Sequence, residues 1–299
     1  MLDLFLQILG LVALLVGLFV GYRRLIVPRA EEISPQGQGL LFLVIMAMIG
    51  GFLGSPGWWL DDPRTFSWDL PPLAGRMLAS AGIAFGVACY ITLKKPFYQR
   101  VRLVLWMLFV YLVPLAVAIL FFHLDYFDPR AGITYVFFII VIFMTIASSW
   151  FLYRQPETIV RENQDPRPPS AIVQGWLSLI ILVVGVWGIA LFITDNGPIK
   201  LVWVWAGDLL SSRLIGSMLL TIATGAWYSR RNADTARVML AAILTYAVGV
   251  SLASAWGAFF GKPVVASYLI VFAVIALVSA AMLRSNQLYK VGVQEDRLN

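Results

Sequence analysis

The sequence predicts an all-α polytopic membrane protein with about nine transmembrane helices. Of its 299 residues, 60% are hydrophobic and 13% are charged, which is about half the charged fraction of a soluble domain. The apolar residues lie in long runs of roughly 20, the length that a helix needs to cross a hydrocarbon core. Lys and Arg are alternately abundant and scarce in successive loops, as expected for a chain that crosses a membrane repeatedly.

Nine apolar segments follow one another along the chain. The first is interpreted as an uncleaved anchor and not a signal peptide, because Asp3 precedes it, its apolar run is long, and Arg23 and Arg24 follow it. The second is short and rich in glycine, so the sequence leaves open whether it crosses fully. The predicted segments are 4–22, 39–54, 75–93, 103–122, 133–153, 175–194, 212–229, 236–259 and 264–283.

The loops between the segments divide into two sets of unequal charge. The loops after the odd-numbered segments, together with the C-terminal tail, hold 16 of the 22 Lys and Arg residues, and the other set holds six. Cytoplasmic loops are the ones enriched in Lys and Arg. The bias predicts an outside N-terminus and a cytoplasmic C-terminus in a bacterial inner (plasma) membrane. The net charge of +6 is therefore attributed to topology and not to a nucleic-acid partner.

Two windows, 66–80 and 203–217, align without gaps and share the pattern W-x4-L-x2-R-x3-S. The shared residues are Trp68, Leu73, Arg76 and Ser80 in the first window and Trp205, Leu210, Arg213 and Ser217 in the second. Farther on, an arginine stands nine residues before a tyrosine in both halves, as Arg102 before Tyr111 and as Arg237 before Tyr246. The sequence therefore predicts an internal duplication, in which segments two to five match segments six to nine.

Each predicted repeat contains four helices, an even number, so both repeats enter the membrane in the same direction. They are expected to be related by a pseudo-two-fold axis along the membrane normal. The predicted organisation is an anchor helix in residues 1–30, a first repeat in 38–154, a cytoplasmic linker in 155–173, a second repeat in 174–285 and a cytoplasmic tail in 286–299.

Asp, Glu, Lys and His are absent from the middle of every predicted segment. Such residues mark proton relays and ion sites in membrane proteins, so the sequence disfavours an ion-coupled carrier. One Cys and one His exclude a cysteine-based metal site and bis-His haem ligation within the chain. His123, near Asp125 and Asp128, is interpreted as a polar helix end and not as a metal ligand. We expect no cofactor and no metal.

Tryptophans gather in the two loops that precede the third and seventh segments, where five of the eleven are found. One interpretation is an aromatic belt at the level of the lipid headgroups. The other is a pair of interfacial segments that cover a cavity between the repeats. We expect a functional site to lie at the outer face, where these loops are found.

Arg76 and Arg213 stand near the start of outward-starting helices, where the helix dipole is positive and a cation needs compensation. Each arginine could pair with a nearby acid and pin the loop to the helix, or snorkel without a partner. The candidate acids are Asp69, Asp208, Asp61 and Asp62. Alternatively, the two arginines could bind a lipid phosphate or an acidic solute. The predicted ligand-binding set is Arg76, Arg213, Trp68, Trp205, Asp69, Asp208, Ser80 and Ser217.

These features favour a non-enzymatic integral membrane protein whose recognition surface lies on the outer face. It would act as an accessory or scaffold subunit of a membrane complex, or bind a lipid or small molecule. The expected partners are membrane lipids, other subunits or a second copy of the chain, and no nucleic acid. The first alternative is a transporter of an anionic or amphipathic molecule at the repeat interface. The second is a lipid-modifying enzyme of the outer leaflet that uses Asp61, Asp62 and His123.

Overall fold

Nine long helices account for the predicted segments among the residues that the structure describes. The computed structural model describes residues 2–62, 65, 68, 70–154, 167–194, 208–261 and 266–284, with side chains from residue 9 onward and without that of residue 72. All nine helices are long and apolar enough to cross a membrane, the pattern of a multi-pass membrane protein. They are α1 (Leu2–Gly21), α2 (Pro35–Trp59), α3 (Pro72–Lys94), α4 (Tyr98–Phe122), α5 (Gly132–Arg154), α6 (Ala171–Ile193), α7 (Leu209–Ser229), α8 (Ala233–Phe259) and α9 (Ala266–Arg284).

Helix α2 is considerably longer than its predicted segment. It has 25 residues, which at about 1.5 Å per residue is enough to cross the hydrocarbon core. The helix begins at Pro35, and the Oγ of Ser34 accepts a hydrogen bond from the amide of Gly37 at 3.3 Å. The predicted segment leaves out the first four residues, where Gln36 and Gln38 lower the hydropathy, and the last five, which include Pro56 inside the helix.

Side-chain caps explain why three later helices begin before their predicted apolar segments. Ser170 caps α6 through the amide of Val173, and Asp208 caps α7. Asn232 caps α8, and its Oδ1 accepts from two amides at 2.9 and 3.0 Å. Each cap satisfies amide groups that the first helical turn leaves without a partner.

Helices α3, α4, α7 and α8 form the centre of the bundle. In this centre, α3 packs against α8 and α4 packs against α7. The outer helices attach in pairs, with α2 on α3, α6 on α7, α5 on α4 and α9 on α8. Helix α1 lies at the periphery against α2.

Glycines allow several of these helices to approach one another closely. A Cβ on Gly51 of α2 would lie 2.5 Å from the carbonyl oxygen of Gly82 in α3. A Cβ on Gly216 of α7 would lie 2.9 Å from the carbonyl oxygen of Gly188 in α6. Small residues at such contacts let backbones meet, which is a main source of association between helices in lipid.

Candidate functional site

The candidate residues lie at the end of the bundle where α2, α4, α6 and α8 finish and α3, α5, α7 and α9 begin. We call it the predicted outer end, because the distribution of Lys and Arg predicts that it faces outward. The opposite end, which contains residues 94–98 and 229–233, is called the predicted inner end.

Arg213, near the start of α7, reaches the ends of two other helices. Its Nη1 lies 2.5 Å from Nε2 of His123, directly after α4. Its Nε donates to the carbonyl oxygen of Phe192 in α6 at 3.4 Å. Its guanidinium also lies over the ring of Phe122, with Cζ 5.4 Å from the ring centroid. Its hydrogen bonds to described residues are therefore made to a ring nitrogen and a carbonyl oxygen, with no carboxylate among these partners.

His123 is a neutral hydrogen-bond acceptor in this arrangement. A guanidinium can only donate, so Nε2 of His123 must carry the lone pair. The ring is 4% exposed and meets Tyr126 edge-on, with ring centroids 5.1 Å apart. Burial lowers the pKa of His123 and the charge of Arg213 lowers it further, while Asp125 and Asp208 oppose the shift. The positive charge of Arg213 is thus not neutralised by the side chain that it contacts.

Trp68 is attached to the start of α7 through a chain of hydrogen bonds. Its Nε1 donates to the Oγ of Ser211 at 3.2 Å, and that hydroxyl donates to Oδ2 of Asp208 at 2.5 Å. Asp208 also accepts from the amide of Ser211 at 2.8 Å. Trp68 is buried and packs edge-on against Phe127 and Phe137. These contacts hold the loop before α3 against the first turn of α7.

Arg76 is half-buried near the start of α3 and lies beside the end of α8. The Cζ atom of its guanidinium is 6.0 Å from the ring centroid of Trp256. Arg76 and Arg213 are therefore placed alike, each against an aromatic ring at the end of a helix from the other half of the chain. Both rings are widely exposed, Trp256 at 46% and Phe122 at 65%.

Of the four remaining residues in the predicted ligand-binding set, the structure describes two, Ser80 and Ser217. Ser80 is buried, donates to the carbonyl oxygen of Arg76 at 2.7 Å and lies close to Gly249 of α8. Ser217 is also buried, and its hydroxyl has no hydrogen-bond partner among the described residues. Neither hydroxyl bonds to an arginine side chain, so the serines do not extend the arginine contacts. Asp69 and Trp205 lie outside the described residues.

A buried ion pair at the predicted inner end was missed by the sequence analysis. Arg100 near the start of α4 forms a two-pronged pair with Asp234 near the start of α8, and its Nε lies 2.5 Å from Oδ2. Arg100 also donates to the carbonyl oxygen of Ile91 at 3.2 Å. The available signal was Asp234 itself, an acid in the first turn after the Asn232 cap, but its partner is 134 positions away.

The titratable groups do not form a metal site in the part of the chain that the structure describes. No group of three or more His, Cys, Asp or Glu side chains could hold a metal ion there. His123, the sole histidine, instead faces a guanidinium, which disfavours a cation at the same nitrogen.

Comparison of the chain with family models, curated proteins and solved structures gives no match. The fold and the two ends of the bundle define its class, a multi-pass helical membrane protein. Its function is therefore argued from the side chains at those ends.

Proposed function

We propose that the protein is a non-enzymatic integral membrane protein that binds anionic lipid headgroups at its predicted outer end. It would serve as a lipid-binding accessory or scaffold component of a membrane complex. The observation that carries this proposal is the setting of Arg213, which hydrogen-bonds to an uncharged imidazole and a carbonyl oxygen and keeps its positive charge. A phosphate is a preferred partner for such a guanidinium.

The aromatic rings beside the two arginines support a lipid as the ligand. Phe122 and Trp256 are exposed at the ends of their helices, where aromatic side chains sit at headgroup level in membrane proteins. An arginine next to such a ring meets the phosphate of a lipid whose acyl chains pack on the ring. This proposal places two related headgroup sites on the bundle.

We also propose that the chain contains an internal duplication, with its two halves related by a pseudo-two-fold axis. Exchanging α2–α5 with α6–α9 leaves the main packing pairs unchanged, because α3 on α8 becomes α7 on α4. The same exchange relates Arg76 on Trp256 to Arg213 on Phe122. Both observations agree with the aligned windows in the sequence.

The proposed location is a bacterial inner membrane, with the N-terminus outside and the C-terminus in the cytoplasm. The support is the unequal distribution of Lys and Arg over the loops. In this orientation the arginine sites meet the outer leaflet and the Arg100–Asp234 pair lies on the cytoplasmic side.

A transporter of an anionic or amphipathic molecule is the second candidate. The Arg100–Asp234 pair favours it, since this pair joins the two halves at one end and would separate if the halves moved. The close approach of Gly249 in α8 to Ser80 in α3 also joins the two halves, and its tight backbone packing favours a fixed bundle and hence the binding role.

A lipid-dependent stability measurement tests the proposed function. The melting temperature of the purified protein is measured with added phosphatidylglycerol and with added phosphatidylcholine. Ligand that binds only the folded state raises stability, so we expect the anionic lipid to give the larger increase. Arg213→Gln and Arg76→Gln should each reduce this increase, and the double variant should abolish it.

Arg130→Gln is the matched control for this measurement. Arg130 is an exposed arginine at the same end of the bundle, between α4 and α5, but it is not placed against Phe122 or Trp256. The variant removes the same charge and should retain the full response. Equal loss in all three arginine variants, or no preference for the anionic lipid, would contradict the proposal.

A further inference from the structure

Four aromatic side chains form a cluster between α6, α8 and α9, away from both arginine sites. Trp187 of α6 meets Tyr268 of α9 edge-on, with ring centroids 5.2 Å apart. Phe272 lies 6.2 Å from Trp187, 5.7 Å from Tyr268 and 5.8 Å from Tyr246 of α8. We call these four residues the aromatic cluster.

Two hydrogen-bond donors inside the aromatic cluster have no acceptor. Trp187 is 7% exposed and Tyr246 is 3% exposed. The Nε1 of Trp187 and the hydroxyl of Tyr246 make no hydrogen bond within the described part of the chain. A tryptophan Nε1 is a donor only, and a buried donor without an acceptor is costly in an apolar interior. An acceptor oxygen from outside the described residues would therefore be needed to satisfy these two donors.

The packing of the helices gives this cluster a route to the hydrocarbon region. Helix α6 packs along α7 and α9 packs along α8, whereas α6 and α9 meet through side chains, and Nε1 of Trp176 in α6 donates to the Oγ of Ser279 in α9 at 3.2 Å. The rings of Trp187, Tyr268 and Phe272 occupy the space between them. On the outward faces of the same two helices, Val186 and Ile270 are exposed, as expected for side chains that meet lipid.

We propose that the aromatic cluster binds a lipid-soluble molecule with a ring and a carbonyl oxygen, the chemistry of a quinone headgroup. A carbonyl oxygen has two lone pairs and can accept from both Trp187 Nε1 and the Tyr246 hydroxyl. The ring packs on the aromatic faces of the cluster, and an apolar tail leaves between α6 and α9 into lipid. This site is independent of the proposed headgroup sites.

Equilibrium binding of a short-chain quinone tests this proposal. Radiolabelled decylubiquinone is titrated into the protein in nanodiscs of phosphatidylcholine. These nanodiscs contain no anionic lipid, so the result does not depend on the proposed headgroup sites. We expect saturable binding of one quinone per chain. Tyr246→Phe, which removes only the hydroxyl, should weaken binding about tenfold, the effect of one lost hydrogen bond. Trp187→Phe should weaken it by at least as much.

Tyr111→Phe is the matched control, because Tyr111 follows Arg102 at the spacing at which Tyr246 follows Arg237 but makes no ring contact with the aromatic cluster in the described part of the chain. It should bind quinone as the unmodified protein does, and circular dichroism checks that every variant is folded. Absence of saturable binding would overturn the proposal and leave an internal water as the acceptor. Unchanged binding in Tyr246→Phe, or equal weakening in Tyr111→Phe, would also overturn it.

Discussion

At the scale of single residues, the contact between Arg213 and His123 shows how a charge is held at the predicted outer end without being neutralised. A carboxylate in the place of His123 would form a closed ion pair and offer little attraction to a phosphate. A neutral imidazole orients the guanidinium equally well and leaves its charge in place. We therefore expect His123 to be neutral in the folded protein.

The neutral state of His123 predicts a pH dependence of stability. Because the pKa of His123 is lowered in the folded protein, the unfolded chain takes up a proton at higher pH than the folded one. The stabilisation is complete above the usual pKa of about 6.5 and is lost as the pH falls through the folded-state value.

The measurement is the melting temperature of the protein and of His123→Gln over the acid range from about pH 7 to pH 5. The glutamine oxygen can accept from Arg213 but does not titrate, so the variant should lose less stability on acidification. Parallel curves for the two proteins would show that His123 does not titrate as proposed.

The partners of Arg213 could not be predicted from the sequence. The two windows drew attention to Arg213, but His123 lies 90 positions before it and has no counterpart in the repeat pattern. The sequence offered Asp208 as a partner, and the structure uses this acid to cap α7 and to bind Ser211. A helix cap is a local preference, whereas the pairing of α4 with α7 is set by packing across the whole chain.

At the scale of helices, hydropathy located the spans and local polar residues set where they begin. The apolar runs are long enough to predict all nine helices. The beginnings of α6, α7 and α8 depend on Ser170, Asp208 and Asn232, which lie before the apolar runs. Helix α2 deviates most, because its predicted segment leaves out four residues at the start of the helix and five at its end.

Neighbouring glycines in α2 provide a test of the helix packing. A Cβ on Gly51 would lie 2.5 Å from a backbone oxygen of α3, whereas a Cβ on Gly50 would meet nothing within 4 Å. Gly51→Ala should therefore force α2 and α3 apart and cost about 2 kcal/mol of stability. Gly50→Ala should be neutral or slightly stabilising, because alanine is the better helix former.

Thermal unfolding of the two single variants in the same detergent compares these effects directly. The two substitutions add the same methyl group one position apart in one helix, so they differ only in what that group meets. Equal melting temperatures for Gly51→Ala and Gly50→Ala would mean that α2 and α3 do not pack as described.

At the scale of the whole molecule, the central helices connect the two halves of the chain. Helix α3 packs on α8 and α4 on α7, so each half contributes to the environment of the other half's arginine. The Arg100–Asp234 pair links α4 to α8 at the other end. Because the central helices of one half pack against those of the other, each proposed headgroup site combines an arginine from one half with a ring from the other.

The central claim is that the predicted outer end binds anionic lipid through Arg76 and Arg213. Native mass spectrometry tests it most directly, with the protein extracted gently from its own membrane and compared with the Arg76→Gln, Arg213→Gln double variant. The account predicts that anionic phospholipid remains bound to the unmodified protein, at up to two molecules per chain, and is lost from the double variant. The same lipid occupancy in both proteins would contradict it.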